Sequence, residues 1–213
     1  MNKTALIIVD LQNDFCRGGN LAVPDGDAVI PLANQLQPCF DIVVATKDWH
    51  PQNHMSFASN HPGKKRGEVI KVHGLSQVLW PDHCVQNTHG AEFHPQLNME
   101  RIQHIFHKGT DRFVDSYSAF FDNEHLRATG LGDYLSRHGV VDVYIMGLAT
   151  DYCVKYSCLD AVHLNFNVHV IEDACRGVEL KSGDIANAIK EMQHIGVRLT
   201  ETKTIVAHAK ANS

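Results

Sequence analysis

Short, continuous apolar runs rich in β-branched residues recur along this chain, and they constrain its fold more than any other feature. A strand with one face in water alternates apolar and polar residues, whereas a strand buried on both faces is apolar throughout. Such runs therefore indicate a parallel sheet that is covered on both faces. Six strands are predicted, at residues 5–9, 42–45, 104–107, 143–146, 168–171 and 197–199.

Amphipathic helical patterns lie between several of these runs. Apolar residues recur at helical spacing over residues 28–36, 152–164 and 182–195, and a shorter helix is predicted at residues 131–137. The alternation of strands and helices predicts an α/β fold, a doubly wound parallel sheet of about six strands with helices on both faces. With 213 residues, the chain is expected to form a single domain over residues 1–213.

Residues 47–99 interrupt this regular pattern. The segment contains four prolines, several histidines and both tryptophans, Trp49 and Trp80, but little periodicity. A loop of this length within a compact domain is usually either functional or disordered. Because the tryptophans argue against disorder, we interpret the segment as a long ordered insertion that builds a site.

The composition excludes several classes of protein. Lysine plus arginine total 19 and aspartate plus glutamate total 24, so the net charge is −5 and no basic surface for nucleic acid or an anionic membrane is expected. No apolar run approaches the roughly 18 residues of a membrane span, and residues 5–9 are too few for a secretory signal. The expected location is therefore the cytoplasm. The six cysteines are scattered and form no CxxC pair, which argues against a disulfide framework.

Polar side chains follow the predicted strands at the edge where an open α/β sheet binds its ligands. Asp10 follows the first strand, Lys108 the third, and Cys153 begins the helix after the fourth. A nearby ammonium group and a helix N-terminus favour a thiolate, and a carboxylate can take the thiol proton and return it to a leaving group. The three residues are therefore candidates for nucleophilic catalysis. Taken singly, a buried cysteine is often a small hydrophobe and an Asp–Lys pair a salt bridge.

The insertion also contains candidate metal ligands. Asp48 and His50 flank a tryptophan, and His83 lies in a second histidine-bearing motif. Two histidines and one carboxylate can form a triad that leaves positions open for water or substrate, a set that suits iron(II) or zinc. His54 and Cys84 could instead complete a closed four-ligand zinc site. Histidines satisfied within their own loop are a further alternative, but two such motifs in one loop favour a metal.

These residues belong to motifs that resemble a known family. The sequence is similar to the bacterial nicotinamidases, which belong to the wider isochorismatase-like superfamily of cysteine hydrolases. The similarity runs in the family's order from the N-terminus to about Gly177. It is carried by IVDLQNDF (8–15), DWHP (48–51), WPDHC (80–84), HKG (107–109) and GLATDYCV (147–154). The Asp–Lys–Cys set alone marks the superfamily, and the metal loop narrows the similarity to nicotinamidase.

The resemblance implies a metal-dependent amidohydrolase that converts nicotinamide and water to nicotinate and ammonia through a thioester. It also implies activity on pyrazinamide and a place in NAD salvage. Cys153 would be the nucleophile, Asp10 the general base and then the acid, and Lys108 the residue that holds the thiolate and orients Asp10. Backbone N–H groups of Ala149 and Cys153 would form the oxyanion hole, with a cis peptide between Leu148 and Ala149.

The resemblance further implies one divalent metal ion per chain, zinc or iron(II), held by Asp48, His50 and His83. His54 binds the metal in some members of the family and lies behind the ligands in others. The residues expected to contact the substrate are Phe15, Trp80, Tyr117 and Leu148.

Two other functions remain open from the sequence. A related cysteine amidase acting on another small amide would not need the three metal ligands. A non-catalytic metal-binding protein would have a closed four-ligand site and an unreactive Cys153. A small-molecule substrate such as nicotinamide or pyrazinamide is the expected partner, with no nucleic acid and no membrane, and a homo-oligomer is compatible with the sequence.

Overall fold

A six-stranded parallel sheet forms the centre of the fold in the computed structural model, which describes residues 3–211. The strands in that range are β1 (Lys3–Val9), β2 (Ile42–Asp48), β3 (Val69–Val72), β4 (Leu75–Val78), β5 (His104–Lys108), β6 (Val140–Leu148), β7 (Asn167–Arg176) and β8 (Arg198–Thr200). The order in the large sheet is β5-β2-β1-β6-β7-β8, and all of its pairings are parallel. All six predicted strands are present, so the predicted sheet is confirmed.

The helices cover the sheet in two groups. They are α1 (Val29–Leu36), α2 (Leu131–Arg137), α3 (Lys155–His163), α4 (Asp184–His194) and α5 (Thr202–Ala211). The chain moves from β1 to β2 in one direction and from β6 to β7 in the other, and right-handed crossovers then place α1 and α3 on opposite faces. α1 packs against α5, and α3 packs against α4. No helix in residues 3–211 has both the length and the apolar character that crossing a membrane requires.

The centre of the sheet positions the functional edge. Residues 5–9 of β1 are fully buried, as expected for a strand that pairs with β2 on one side and β6 on the other. The direction of the crossovers reverses at β1 and β6, and this reversal opens a crevice beyond the carboxyl ends of the strands. Asp10, Asp48 and Lys108 lie at the ends of three adjacent strands, β1, β2 and β5.

The long insertion is more regular than predicted. β3 and β4 form an antiparallel hairpin within it, with Val69 opposite Val78 and Val72 opposite Leu75. His73 and Gly74 connect the strands, and both have positive φ values, 50° and 86°. A two-residue turn with positive φ at both positions matches the right-handed twist of a hairpin. The His-Gly pair between two short runs was a local signal that the prediction missed.

Two helical features also differ from the prediction. α5 was not predicted, because its buried face is narrow and includes the polar Thr202 beside Ile205. The helix predicted from residue 152 instead opens with a π-helical turn at Thr150–Val154 and continues as α3. Cys153 therefore lies inside a widened turn, a feature common at functional sites.

Candidate active site

The thiol of Cys153 and the side chains of Asp10 and Lys108 meet at the carboxyl edge of the sheet. Lys108 Nζ lies 2.8 Å from Asp10 Oδ2 and 3.4 Å from Cys153 Sγ. The same ammonium group pairs with Asp48 and donates to the backbone carbonyl of Ser116 at 3.1 Å. All of these side chains are buried. The three residues predicted to act together are thus in contact, and their catalytic roles stay a prediction.

Thr46 fixes the carboxylate of Asp10. Asp10 follows β1 with a φ of 53°, a left-handed conformation that aspartate tolerates better than most residues. Thr46 Oγ1 donates to Asp10 Oδ1 at 2.6 Å and accepts a hydrogen bond from Asp10 N at 3.2 Å. Thr46 directly follows the second predicted strand, residues 42–45, and was not predicted to contribute to the site. Its contribution depends on the pairing of β1 with β2.

Hydrogen bonds before and after Cys153 hold the π-helical turn that carries it. The N–H groups of Tyr152 and Val154 both donate to the carbonyl of Ala149 at 3.1 Å, and Ser157 Oγ donates to the carbonyl of Cys153 at 2.6 Å. The peptide bond between Leu148 and Ala149 is cis, as the family resemblance implied. Ala149 lies immediately before the turn and lines the same cavity as Cys153.

Burial dominates the electrostatics of this cluster. It raises the pKa of Cys153, and although Lys108 lowers that pKa, Asp10 and Asp48 raise it further, so the thiol ionises well above its usual range. Burial also raises the pKa of Asp10, against the lowering effect of Lys108. The lysine favours the thiolate as expected, but burial and the carboxylates outweigh it. The thiol is therefore protonated at neutral pH and needs a base before it can attack.

Asp48, His50 and His83 form a compact set of potential metal ligands. The Nε2 atoms of His50 and His83 lie 3.6 and 3.8 Å from Asp48 Oδ2. Each ring uses its other nitrogen as a donor, His50 Nδ1 to the carbonyl of Gly109 at 2.9 Å and His83 Nδ1 to that of Pro81 at 2.8 Å. This fixes the tautomer and leaves both Nε2 lone pairs free. His50 Nε2 is buried without a hydrogen-bond partner, so the three residues fit a metal ion.

Gly109 is required by the position of His50. Its φ is +64°, and a Cβ atom built there would lie 2.3 Å from His50 Cε1. Only glycine combines that backbone conformation with so close an approach to the ring. Gly109 follows Lys108 directly, so one short segment supplies the lysine and the contact that orients a metal ligand.

Two polar residues of the loop after β1 hold the metal-site segments. The side-chain amide of Gln12 donates to the carbonyl of Asp48 at 2.7 Å and accepts from Asp48 N at 2.8 Å. Asp14 Oδ2 accepts a hydrogen bond from Cys84 N at 2.7 Å, next to His83. Sequence reasoning quoted both residues within a motif but assigned no role to either. Their partners are distant in sequence, and only the fold brings them together.

His54 lies beside the metal-ligand set, where His50, His54 and Asp115 form a further group with ligand atoms within 4.8 Å of one another. His54 Nδ1 lies 2.7 Å from Ser56 Oγ and 3.2 Å from Ser56 N. His54 Nε2 is buried and lacks a partner, and its ring lies 4.4 Å from that of His50. Burial and the neighbouring His50 lower the pKa of His54 to about 4. Cys84 belongs to none of the ligand clusters found in residues 3–211.

A cavity of about 370 Å³, including its open mouth, joins the thiol to the metal-ligand set. Phe15, Trp80 and Tyr117 line it, and Trp80 Nε1 donates to Tyr117 Oη at 3.2 Å, while their contact with substrate stays a prediction. Leu148 is fully buried and is not among the residues that line the cavity. The cavity-lining residues to which the sequence reasoning gave no role are Leu21, Asp115, Tyr152 and Val178.

Comparison with known proteins places this architecture in a family. Residues 4–204 match the isochorismatase domain. The chain belongs to the isochorismatase family. Among curated relatives, a nicotinamidase from Escherichia coli is 50% identical over 203 residues, which cover 93% of this chain and 95% of that protein. The expected relationship to the nicotinamidases is therefore confirmed.

Solved structures of the family agree with the fold. A nicotinamidase/pyrazinamidase from Acinetobacter baumanii is 50% identical, has a TM-score of 0.93, and the match covers 96% of this chain and 99% of that one. A pyrazinamidase from Pyrococcus horikoshii, solved in complex with zinc, is 38% identical with a TM-score of 0.77, and the match covers 93% and 99% of the two chains.

Proposed function

We propose that this chain is a nicotinamidase that hydrolyses nicotinamide to nicotinate and ammonia through a thioester on Cys153. Its amidohydrolase class follows from the relationship to the nicotinamidases. The observation that carries the proposal is a single cavity that is lined by Cys153 and also by Asp48 and His83. Pyrazinamide is proposed as a second substrate, and NAD salvage as the use of the reaction.

In the first half of the reaction, Asp10 acts as the base. The thiol of Cys153 gives its proton to the Asp10 carboxylate, and the sulfur attacks the carboxamide carbon. Backbone N–H groups of Ala149 and Cys153 receive the negative charge that develops on the carbonyl oxygen. The proton on Asp10 then passes to the departing nitrogen, the C–N bond breaks, and ammonia leaves a nicotinoyl thioester.

In the second half, Asp10 takes a proton from water. The resulting hydroxide attacks the thioester carbon, the C–S bond breaks, and the sulfur regains a proton as nicotinate leaves. Lys108 stays protonated throughout, because the carboxylates around it raise its pKa well above the usual range despite burial. Its ammonium group holds Asp10 in place and stabilises the thiolate as it forms.

Asp48, His50 and His83 would hold the zinc or iron(II) ion. When bound, the ion would supply a Lewis acid that takes the pyridine nitrogen of the substrate. Asp48 also contacts Lys108, so this residue links the metal-ligand set to the catalytic cluster. The pyrazinamidase that the chain resembles was solved in complex with zinc, which supports a divalent ion as the metal of this chain.

The direct test is ammonia release from nicotinamide by metal-replete protein. We expect turnover by the unaltered chain and a loss of about 10⁴-fold or more in Cys153→Ala, since residues of a covalent catalytic unit fail together. Circular dichroism and metal content should be unchanged in that variant. Retention of a tenth of the activity would exclude Cys153 as the nucleophile. Release of ammonia from other small amides but not from nicotinamide would favour a different amidase of the family.

A further inference from the structure

One cluster of ligand-type side chains lies apart from the site described above. Four sets of histidine, cysteine and acidic residues in the range 3–211 have ligand atoms within 4.8 Å of one another. Three of them overlap through Asp48 or His50 and surround the catalytic cavity. The fourth, Cys16, Asp27 and His94, shares no residue with the others. We propose that this set is a second metal site, which takes a thiophilic divalent cation such as Zn²⁺.

The backbone already holds two of these ligands in place from separate parts of the chain. Cys16 N donates to the carbonyl of Asn13 at 3.1 Å, and the carbonyl of Cys16 accepts from Gly19 at 3.0 Å. His94 N donates to the carbonyl of Leu11 at 2.9 Å. Asp27 lies in the short helical turn Gly26–Ala28 that precedes α1. The ligands therefore converge without a metal, and an ion would find them preorganised.

Existing contacts of the cluster are weak enough for an ion to replace. The guanidinium of Arg17 lies 3.7 Å from Asp27 Oδ2, but that side chain is 89% exposed, where an ion pair contributes little. Arg17 N donates to the other oxygen, Asp27 Oδ1, at 3.1 Å. Gln96 N donates to His94 Nδ1 at a long 3.3 Å, and metal binding at either ring nitrogen would displace this one bond.

The donor set indicates the kind of ion. A thiolate, an imidazole and a carboxylate suit Zn²⁺ and similar borderline ions, with water in the fourth position. Cys16 is buried while Asp27 and His94 are partly exposed, so solvent reaches the cluster from one side. On binding, the Cys16 thiol loses its proton to solvent and a sulfur–metal bond forms.

Cobalt(II) titration separates this site from the catalytic one. The parent protein for the test is Cys153→Ala, in which the nucleophile cannot contribute a thiolate. We expect two Co²⁺ ions per chain and a thiolate-to-cobalt charge-transfer band in the near ultraviolet. Adding Cys16→Ser should abolish the band and reduce binding to one ion. Adding His83→Ala should remove the other ion and keep the band.

Two further variants control for the fold and for the other thiols. Cys39→Ser alters a partly exposed cysteine outside the cluster and should keep both ions and the band. His94→Gln keeps every thiol and should weaken cobalt binding at the second site at least tenfold, an estimate from the loss of one ligand. Absence of a thiolate band in the parent, or a band that survives Cys16→Ser, would overturn the proposal. Neither result would bear on nicotinamide hydrolysis.

Discussion

The ammonium nitrogen of Lys108 lies 3.4 Å from the sulfur of Cys153. In water such a contact would favour the thiolate, yet here the thiol pKa rises because burial and two neighbouring carboxylates outweigh the lysine. Lysine and Asp10 therefore act on the thiol in opposite directions. Their removal should have opposite effects on its reactivity, which a purely structural pair would not produce.

The rate of Cys153 alkylation, measured against pH, tests whether Lys108 and Asp10 shift the thiol pKa in opposite directions. In Lys108→Met the thiol loses the charge that lowers its pKa, so the rate against pH should move to higher pH. In Asp10→Asn it loses a charge that raises its pKa, so the profile should move to lower pH. Iodoacetamide labelling of metal-replete protein, followed by mass spectrometry of the Cys153 peptide, distinguishes this thiol from the other five. Shifts in the same direction in both variants would contradict the assignment.

Gly109→Ala should release the metal. A Cβ atom at residue 109 would lie 2.3 Å from His50 Cε1, so the ring must move off its position beside Asp48. Gly139→Ala is the matched control, because Gly139 also has a positive φ, +73°, but nothing lies within 4 Å of the added atom. Both variants should lose about 1–2 kcal/mol of stability from the left-handed backbone. Metal analysis should show a loss in Gly109→Ala alone, and full occupancy there would mean that the ring adapts.

Elements with a strong sequence pattern could be predicted, and elements with a weak pattern could not. Buried parallel strands are apolar throughout, so their positions could be predicted from the sequence. Because ligands bind beyond the carboxyl ends of such strands, Asp10, Lys108 and Cys153 could also be predicted to lie together. The strands of the hairpin β3–β4 are short, and helix α5 has only a narrow buried face, so both were missed. His54 Nδ1 lies 2.7 Å from Ser56 Oγ and its ring lies 4.4 Å from that of His50, contacts that no spacing rule reveals. Such details need the folded chain.

Discrimination between ring systems tests the metal-ligand set. Nicotinamide and pyrazinamide both carry a ring nitrogen meta to the carboxamide, whereas benzamide has the same shape without it. A site built around a polar contact rejects an analogue that lacks it by about 10⁴-fold, while an apolar slot discriminates by only about 10–200-fold. We expect pyrazinamide to be a substrate and kcat/KM for benzamide to be lower by at least about 1,000-fold. A benzamide value within tenfold of nicotinamide would favour a metal-independent amidase.

Asp151 should control the shape of the cavity rather than the chemistry. Its buried carboxylate accepts hydrogen bonds from Val178 N at 2.9 Å and Glu179 N at 2.8 Å, and Val178 and Cys153 both line the cavity. Hydrogen bonds to a charged group contribute about 1.5–3 kcal/mol each. Asp151→Ala removes both, so the backbone at Val178 and Glu179 should lose its fixed position at the cavity. We expect KM for nicotinamide to rise about tenfold or more, with a smaller change in kcat and faster amide exchange at residues 178 and 179.

A second carboxylate provides the control for Asp151. Asp173 accepts hydrogen bonds from Thr202 N at 2.9 Å and from Thr202 Oγ1 at 3.1 Å at the start of α5, and it does not line the cavity. Asp173→Ala should therefore lower stability by a similar amount but leave KM unchanged. Asp151→Asn keeps one acceptor oxygen and should restore part of the affinity. If Asp151→Ala lowered kcat with KM unchanged, the residue would act on the nucleophile turn instead, and the wall formed by Val178 would not depend on it.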